Sequence, residues 1–259
     1  MITCSIVLYN NEKSILSEAI ASFLNTQQDV YLYLIDNSPT DYLKTLDNKI
    51  NIEYIHNPLN PGFGASHNIA IKKSLDLNSD YHLVLNPDVY FNSGTLENII
   101  SFMESHPEIG HLMPRILYPN GDIQYLCKTN PTFFDLFARG FMPNFLKNVL
   151  KNRLDKYELK SNNYDNIIFD VPYLSGCFMF FRTNTLKKVG FFDEKIFMYL
   201  EDADITRRFL NNSRTVYYPF VTVYHHYAGL THKSWKYKWI TIKSAFTYFN
   251  KWGWLKSII

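Results

Sequence analysis

Five short clusters in this chain carry the side chains that do chemistry. Asp36 ends an apolar run in Leu34-Ile35-Asp36-Asn37-Ser38. A carboxylate there can accept hydrogen bonds from a nucleobase or ribose, or it can simply cap a turn. Asn86-Pro87-Asp88 follows a second apolar run. A hard divalent cation takes oxygen ligands, commonly one or two carboxylates with substrate phosphates supplying others. Asp88 offers one carboxylate, and Asn86 an amide for a ribose or a bound water; the same tripeptide is also ordinary turn chemistry. Asn60-Pro61-Gly62-Phe63-Gly64, with His67 and Asn68 beyond it, opens a helical pattern. Glycine lets backbone approach a ligand, and a helix N-terminus favours phosphate. No Gly-Lys-Ser/Thr follows, so this is not a Walker loop, and a plain capped loop is the competing reading. Glu201-Asp202-Ala203-Asp204 starts another helical pattern. Its acids either complement the helix dipole or include a general base for a hydroxyl. His225-His226 closes a strand pattern, structurally or as a neutral imidazole joining Asp88 on a metal.

The elements that must position these groups alternate along the first half. Residues 3–9, 30–35, 50–56 and 81–85 read as buried strands, and 14–26, 66–77 and 95–105 as helices. Strands alternating with helices predict a mostly parallel sheet covered on both faces, with ligands outside the carboxyl ends of the strands. Tyr9-Asn10, Asp36-Asn37 and Asn86–Asp88 all fall at such ends. The second half is less regular. Residues 131–160 are aromatic and basic with helical periodicity, and 161–166 form a polar loop. Residues 171–182, containing Gly176, read as a buried strand or pair of strands. Residues 197–210 read as a loop-helix and 216–224 as a strand.

Composition narrows the class. Apolar residues at 46% against 19% charged describe a globular chain, and 259 residues suit one α/β domain with a modest appendage. A net charge of +2 leaves no nucleic-acid footprint. The charge is uneven, since residues 232–259 hold six lysines, no acid and all four tryptophans. Cys4, Cys127 and Cys177 form no C-x-x-C pair and read as free thiols without structural zinc. The first residues lack the basic n-region and long apolar run of a secretory signal, and no stretch is apolar enough for a spanning helix. The expected location is cytoplasmic, with the basic tail resting on a membrane.

Taken in order, several segments resemble the family 2 inverting glycosyltransferases, within them the rhamnosyltransferase and O-antigen or capsule branch. They are SIVLYNNE at 5–12, LIDNS at 34–38, NPLNPGFGASHN at 57–68, LVLNPDV at 83–89, PRILYPNG at 114–121, VPYLSGCFMFFR at 171–182, VGFFDEKIFMYLEDADITRR at 189–208, VYHH at 223–226 and YFNKWGW at 248–254. The resemblance covers nearly the whole chain. It implies an α/β GT-A fold, with a mostly parallel Rossmann-like sheet, an irregular acceptor-side second half and a C-terminal helix. It further implies one catalytic domain over 1–231, nucleotide-sugar-binding to 125 and acceptor-binding from 126, followed by a basic aromatic extension over 232–259.

The roles it implies are specific. Tyr9, Asn10, Glu12, Asp36, Asn60, Gly62, Phe63, Asn68, Asn86 and Asp88 would bind the donor, with Asp36 on its base. Asp88 and His225 would hold Mg2+ or Mn2+, His226 being the alternative to His225. Asp202 would be the base with Glu201 beside it, and Gly176, Asp204 and His226 would lie on the acceptor side. Asn86 departs from the general D-x-D pattern by replacing its first Asp, which this branch commonly does. The partners implied are a nucleotide-sugar donor, possibly dTDP-rhamnose or a UDP-sugar, and a glycan or polyprenyl-diphosphate-linked oligosaccharide acceptor at the inner-membrane surface. Two rivals stand beside this reading. A nucleotidyltransferase needs a basic phosphate signature near its start, and residues 5–12 have no Lys or Arg. An inert nucleotide-sugar-binding module would lack the base, and Asp202 is present.

Overall fold

A computed structural model describes residues 1–46, 50–226 and 235–254. Lys233 and Lys256 of the basic tail lie outside the described residues. The first half builds β1 (Ile2–Leu8), α1 (Lys13–Leu24), β2 (Val30–Asp36), β3 (Ile52–His56), α2 (Phe63–Asp76), β4 (Tyr81–Leu85), β5 (Val89–Phe91) and α3 (Thr95–Ser105). β1, β2 and β4 are near-continuous apolar runs because helices cover both faces of this part of the sheet. The second half builds β6 (Ile109–Leu117), β7 (Cys127–Lys128), α4 (Phe133–Phe141), α5 (Asn144–Val149), α6 (Lys151–Tyr157), β8 (Ile168–Phe169), β9 (Tyr173–Leu174), β10 (Phe178–Arg182), α7 (Thr183–Val189), α8 (Glu201–Leu210), β11 (Arg214–His225) and α9 (Trp235–Trp252).

The main sheet has the order β3-β2-β1-β4-β10-β6-β11-β5, with β8 also on β11, and β7 pairs β9 separately. β1 to β4 are mutually parallel, as expected. β10 runs against both β4 and β6, while β5 and β8 run against β11. The whole sheet is therefore mixed rather than mostly parallel. The physical reason is the route into β10. The chain reaches it from β9, which is already at the ligand edge, so the strand must run away from that edge.

β6 is a central strand that the sequence pattern hides. Pro114 lies within it, and a proline removes a ladder donor. The structure accommodates this with a break in its partner. Tyr218 pairs with Pro114 and Thr222 with Arg115, so Pro219-Phe220-Val221 bulge out of the ladder.

The segment expected as a C-terminal extension packs closely. Ala245, Tyr248 and Phe249 of α9 join Tyr173, Leu200 and Ala203 in one apolar cluster. The Ser244 hydroxyl donates to the Met198 carbonyl at 2.7 Å. Among the described residues no helix is long and apolar enough to cross a membrane.

Asn68 of α2 fastens the first half to the second. Its amide donates to the Phe192 carbonyl at 3.0 Å and accepts from the Phe192 N–H at 3.0 Å. Asn68→Ala would leave both buried backbone groups unpaired, each costing about 1–3 kcal/mol. Urea unfolding should show a clearly lower midpoint at an unchanged m-value; a midpoint equal to wild type would remove this clamp from the account.

Candidate active site

The site begins where β4 ends. Phe178 of β10 pairs with Leu85 of β4, and the Asn86 N–H donates to the Cys177 carbonyl at 2.9 Å. Asn86-Pro87-Asp88 therefore leaves the sheet beside Gly176-Cys177, which enters it. The Asn86 Oδ1 is buried without a hydrogen-bond partner. From the far side β11 pairs with β5, placing His225 opposite Val89. The His225 Nε2 lies 3.5 Å from the Asp88 carboxylate. Its Nδ1 meets the Gln124 amide oxygen at 2.9 Å, and the Gln124 amide donates to the His225 carbonyl at 2.9 Å. Gln124 thus fixes the ring from behind, as partners of metal-ligating histidines do.

Burial opposes charge on the His225 ring, but the neighbouring Cys177 sulfur and the Asp88 carboxylate outweigh it, holding the pKa up at about 10. The free ring is therefore protonated at neutral pH. His226 points the other way. It meets Glu18 at 3.3 Å and packs on Tyr90, so of the adjacent pair only His225 turns toward Asp88. Among the described residues no three His, Cys, Asp or Glu side chains converge as a closed metal site. Asp88 and His225, with the orphaned Asn86 oxygen nearby, suit a cation that takes its remaining ligands from donor phosphates.

The second group of residues comes from the start of α8. One Asp202 oxygen accepts from the Gly176 N–H at 3.0 Å and the Tyr173 hydroxyl at 3.2 Å. The other accepts from the Ala203 N–H at 2.9 Å. A methyl on Gly176 would stand 3.3 Å from the Asp202 Cβ, so only glycine lets the backbone come this close without crowding the carboxylate. Glu201 is buried, and its Oε2 has no hydrogen-bond partner. Burial first, and then the charge of Asp202, push its pKa well above the usual carboxylate range. The protonated form of Glu201 is thus favoured beside Asp202. Ahead of them Tyr199 and Leu200 are left-handed, with φ of 69° and 71°. Such backbone is costly for side-chain-bearing residues and clusters at functional sites.

The glycine loop meets this segment directly. The Phe63 N–H donates to the Phe197 carbonyl at 2.8 Å. Gly62 has φ +107°, and a methyl there would lie 2.2 Å from the same carbonyl oxygen. Asn60 (φ +45°) shapes the turn, and half-buried Phe63 packs on His67 with ring centres 4.4 Å apart. At the ends of β1 and β2, Leu8 and Asp36 are partners. Asp36 is fully buried, its carboxylate taking the Tyr54 hydroxyl at 2.6 Å and the Ser38 N–H at 2.9 Å. Tyr9 is half exposed, the Asn10 N–H donates to the Ser38 hydroxyl at 2.8 Å, and Glu12 is exposed before α1.

Three of the expected site residues stand apart, His226 by turning to Glu18 and Tyr90. Both ends of the Asn68 amide are engaged by the Phe192 backbone. Asp204 is fully buried between α8 and α9, paired with Arg208 at 3.0 Å, Lys251 at 2.8 Å and the Trp252 indole N–H at 2.8 Å. Conversely, Gln124, Tyr173, Cys177 and Lys128 adjoin the site without having been singled out. Nothing in their types or spacing marks them, because pairings between distant strands bring them there.

This architecture matches known proteins. Residues 4–190 match the sequence family described as Glycosyl transferase family 2. The chain belongs to that family. Over 219 residues it is 26% identical to an N-acetylglucosaminyl-diphospho-decaprenol L-rhamnosyltransferase of Mycobacterium tuberculosis, covering 80% of this chain and 70% of that protein. Over 234 residues it is 26% identical to Rhamnosyltransferase WbbL of Escherichia coli, covering 87% and 84%. Its fold is that of S. aureus TarS, with TM-score 0.60 at 18% identity, over 96% of this chain but only 40% of that one. GalNAc-T7, solved with UDP, GalNAc and Mn2+, superposes with TM-score 0.64 at 15% identity, over 88% of this chain and 44% of that one. These are GT-A folds, and the likeness at such identities is one of fold. Asp202 and His225 lie beyond the family match and rest on the geometry above.

Proposed function

We propose that this glycosyltransferase moves a sugar, with inversion, from a nucleotide-diphosphate donor to a hydroxyl of a lipid-linked glycan. The observation that carries the reading is the thrice-bonded Asp202 carboxyl group set across the β4–β10 junction from the Asp88–His225 pair. Asp202 takes the proton of the acceptor hydroxyl as that oxygen attacks the anomeric carbon. The bond from that carbon to the diphosphate breaks, the nucleoside diphosphate leaves with the bonding pair, and the configuration inverts. Burial of Glu201 beside Asp202 disfavours a second negative charge in the site. A divalent cation held by Asp88 and His225 would offset the charge growing on the leaving diphosphate. The glycine loop and the ends of β1 and β2, including Tyr9, Asn10 and Asp36, form the donor side. dTDP-rhamnose is the leading donor because two relatives are rhamnosyltransferases, with UDP-sugars next. A nucleotide-sugar panel read by released nucleotide tests both, and release from none would end the transferase reading.

Asp202→Asn keeps the shape and removes the base. Transfer should fall about 10²–10⁴-fold while donor binding by calorimetry persists, and near-wild-type turnover would sink the assignment.

The cation must displace the proton of His225. Its affinity should therefore rise with pH, by up to about ten-fold per unit below the ring's pKa of about 10, with proton release on binding. Mn2+ titrations at two pH values in buffers of different ionisation enthalpy measure this. PH-independent affinity, or turnover untouched by chelator, would discard the metal role.

The acceptor side is read as facing a bilayer. α9 buries Ala245, Tyr248 and Phe249 yet exposes Trp235, Trp239 and Phe246 along its other side. Exposed Phe133 of α4 and Trp254 stand with ring centres 6.0 Å apart, continuing the aromatic surface. Lysines beside such rings attract anionic headgroups at about 1 kcal/mol each. Flotation on anionic vesicles at low salt should succeed for wild type and weaken when Lys236, Lys238 and Lys243 are reversed to Glu. Equal flotation of the two proteins would retire the membrane role.

A further inference from the structure

Lys128 stands beside the proposed base, and its chemistry remains unused. It lies on β7, paired across to Tyr173 of β9, and only 6% of its surface is exposed. Its ammonium stands 4.4 Å over the Tyr173 ring. The hydroxyl of that same ring donates to Asp202. Among the described residues the ammonium has no hydrogen bond or ion pair. A largely buried charge without a hydrogen-bonded partner is destabilised, and an aromatic face offsets only part of that.

The local carboxylates are already committed. Asp202 holds Gly176, Tyr173 and Ala203. Glu158 is paired with Arg139 at 3.2 Å and Lys160 at 2.6 Å. Burial, helped by the charge of Arg139, lowers the Lys128 pKa to about 8, so the group remains mostly charged at neutral pH. Asp202 and Glu158 favour the charge at a distance, but no hydrogen bond or ion pair among the described residues occupies the ammonium, which leaves it open to an anion from outside. Its position narrows which one. The two contacts in series, ammonium to ring and ring hydroxyl to carboxylate, set Lys128 within one sugar's reach of the attacking hydroxyl.

We propose that Lys128 binds a phosphoryl group of the acceptor, the one attached to the sugar whose hydroxyl Asp202 deprotonates. The ligand class is a sugar diphosphate ester of a lipid alcohol. Lys128 recognises its anionic linkage and so selects lipid-diphosphate acceptors over neutral glycosides. This rests on the transferase reading, with Asp202 as base.

Two measurements on the full chain separate the inference from that reading. The first needs no turnover. Farnesyl diphosphate and farnesol are titrated into metal-free protein by calorimetry. Wild type should prefer the diphosphate by about ten-fold or more, as expected for a charge-assisted contact. Lys128→Met, which keeps the buried stem, should lose that preference, and Lys128→Arg should keep much of it. The second compares transfer to N-acetylglucosaminyl-diphospho-farnesol and to a neutral farnesyl N-acetylglucosaminide. Lys128→Met should raise KM for the diphosphate acceptor by about ten-fold, with donor hydrolysis and the neutral acceptor unaffected. A Lys128→Met protein that still prefers the diphosphate overturns the proposal. So does an equal loss on both acceptors, which would make Lys128 a partner of the base instead. Intact diphosphate preference with no turnover of any nucleotide sugar would instead fell the transferase reading and leave the anion site standing.

Discussion

Everything in this site depends on the antiparallel pairing of β4 with β10. Parallel neighbours would place the start of one strand beside the start of the other, a strand's length away from the ligand edge. Reversal of β10 puts its beginning, Gly176-Cys177, against the end of β4, Asn86-Pro87-Asp88. One backbone hydrogen bond, from Asn86 to Cys177, closes the seam. Each side of the seam then recruits its own chemistry. Cys177 and Asp88 flank His225, and the Gly176 N–H holds Asp202. Base and cation-side residues are thus located by sheet geometry rather than by flexible loops, which is what positional precision in catalysis requires.

Burial and ionisation are distributed with some economy around that seam. Histidines away from it are shifted down strongly as well, His67 among them. Burial lowers His82 and His111 to about 3, keeping them neutral within the core. His82 spends both ring nitrogens on Thr3 and Ser5. These perturbed groups serve packing, so perturbation alone does not locate function. At the seam the same desolvation is put to use. It raises the pKa of Glu201 beside Asp202, whereas Cys177 and Asp88 raise that of His225 against burial.

α9 is tied into this arrangement through Asp204. Its carboxylate holds Arg208 on its own helix and Lys251 and Trp252 on α9. Arg207 adds a contact over the Trp252 ring at 4.3 Å. The helix that carries the proposed base is therefore braced by the helix that carries the exposed aromatic surface. An acid expected to face the acceptor is instead the pin between the two. From sequence alone the acids at the start of α8 were indistinguishable in type. The packing of α9 commits Asp204 to pairing between the helices, while Asp202 faces Gly176 and Tyr173.

What the sequence determined by itself is the local and ordered part of the protein. Apolar runs bounded by turn residues located β1 to β4 and their helices, with α3 agreeing at both ends, because those signals act over a few residues. The order of Asp36, Asn86–Asp88, Glu201–Asp202 and His225 pointed to the family, since each sits at a strand end or helix start. The tertiary structure decided what depends on partners far apart in the chain. It reversed β10, placed Pro114 opposite a bulge in β11, and turned His225 rather than His226 toward Asp88. It also confined Asn68 and Asp204 to clamps and brought Gln124 and Lys128 to the site. A strand's direction and the face a side chain occupies follow from which neighbours it pairs with. That pairing is an energetic choice made across the whole sheet and is written in no single segment.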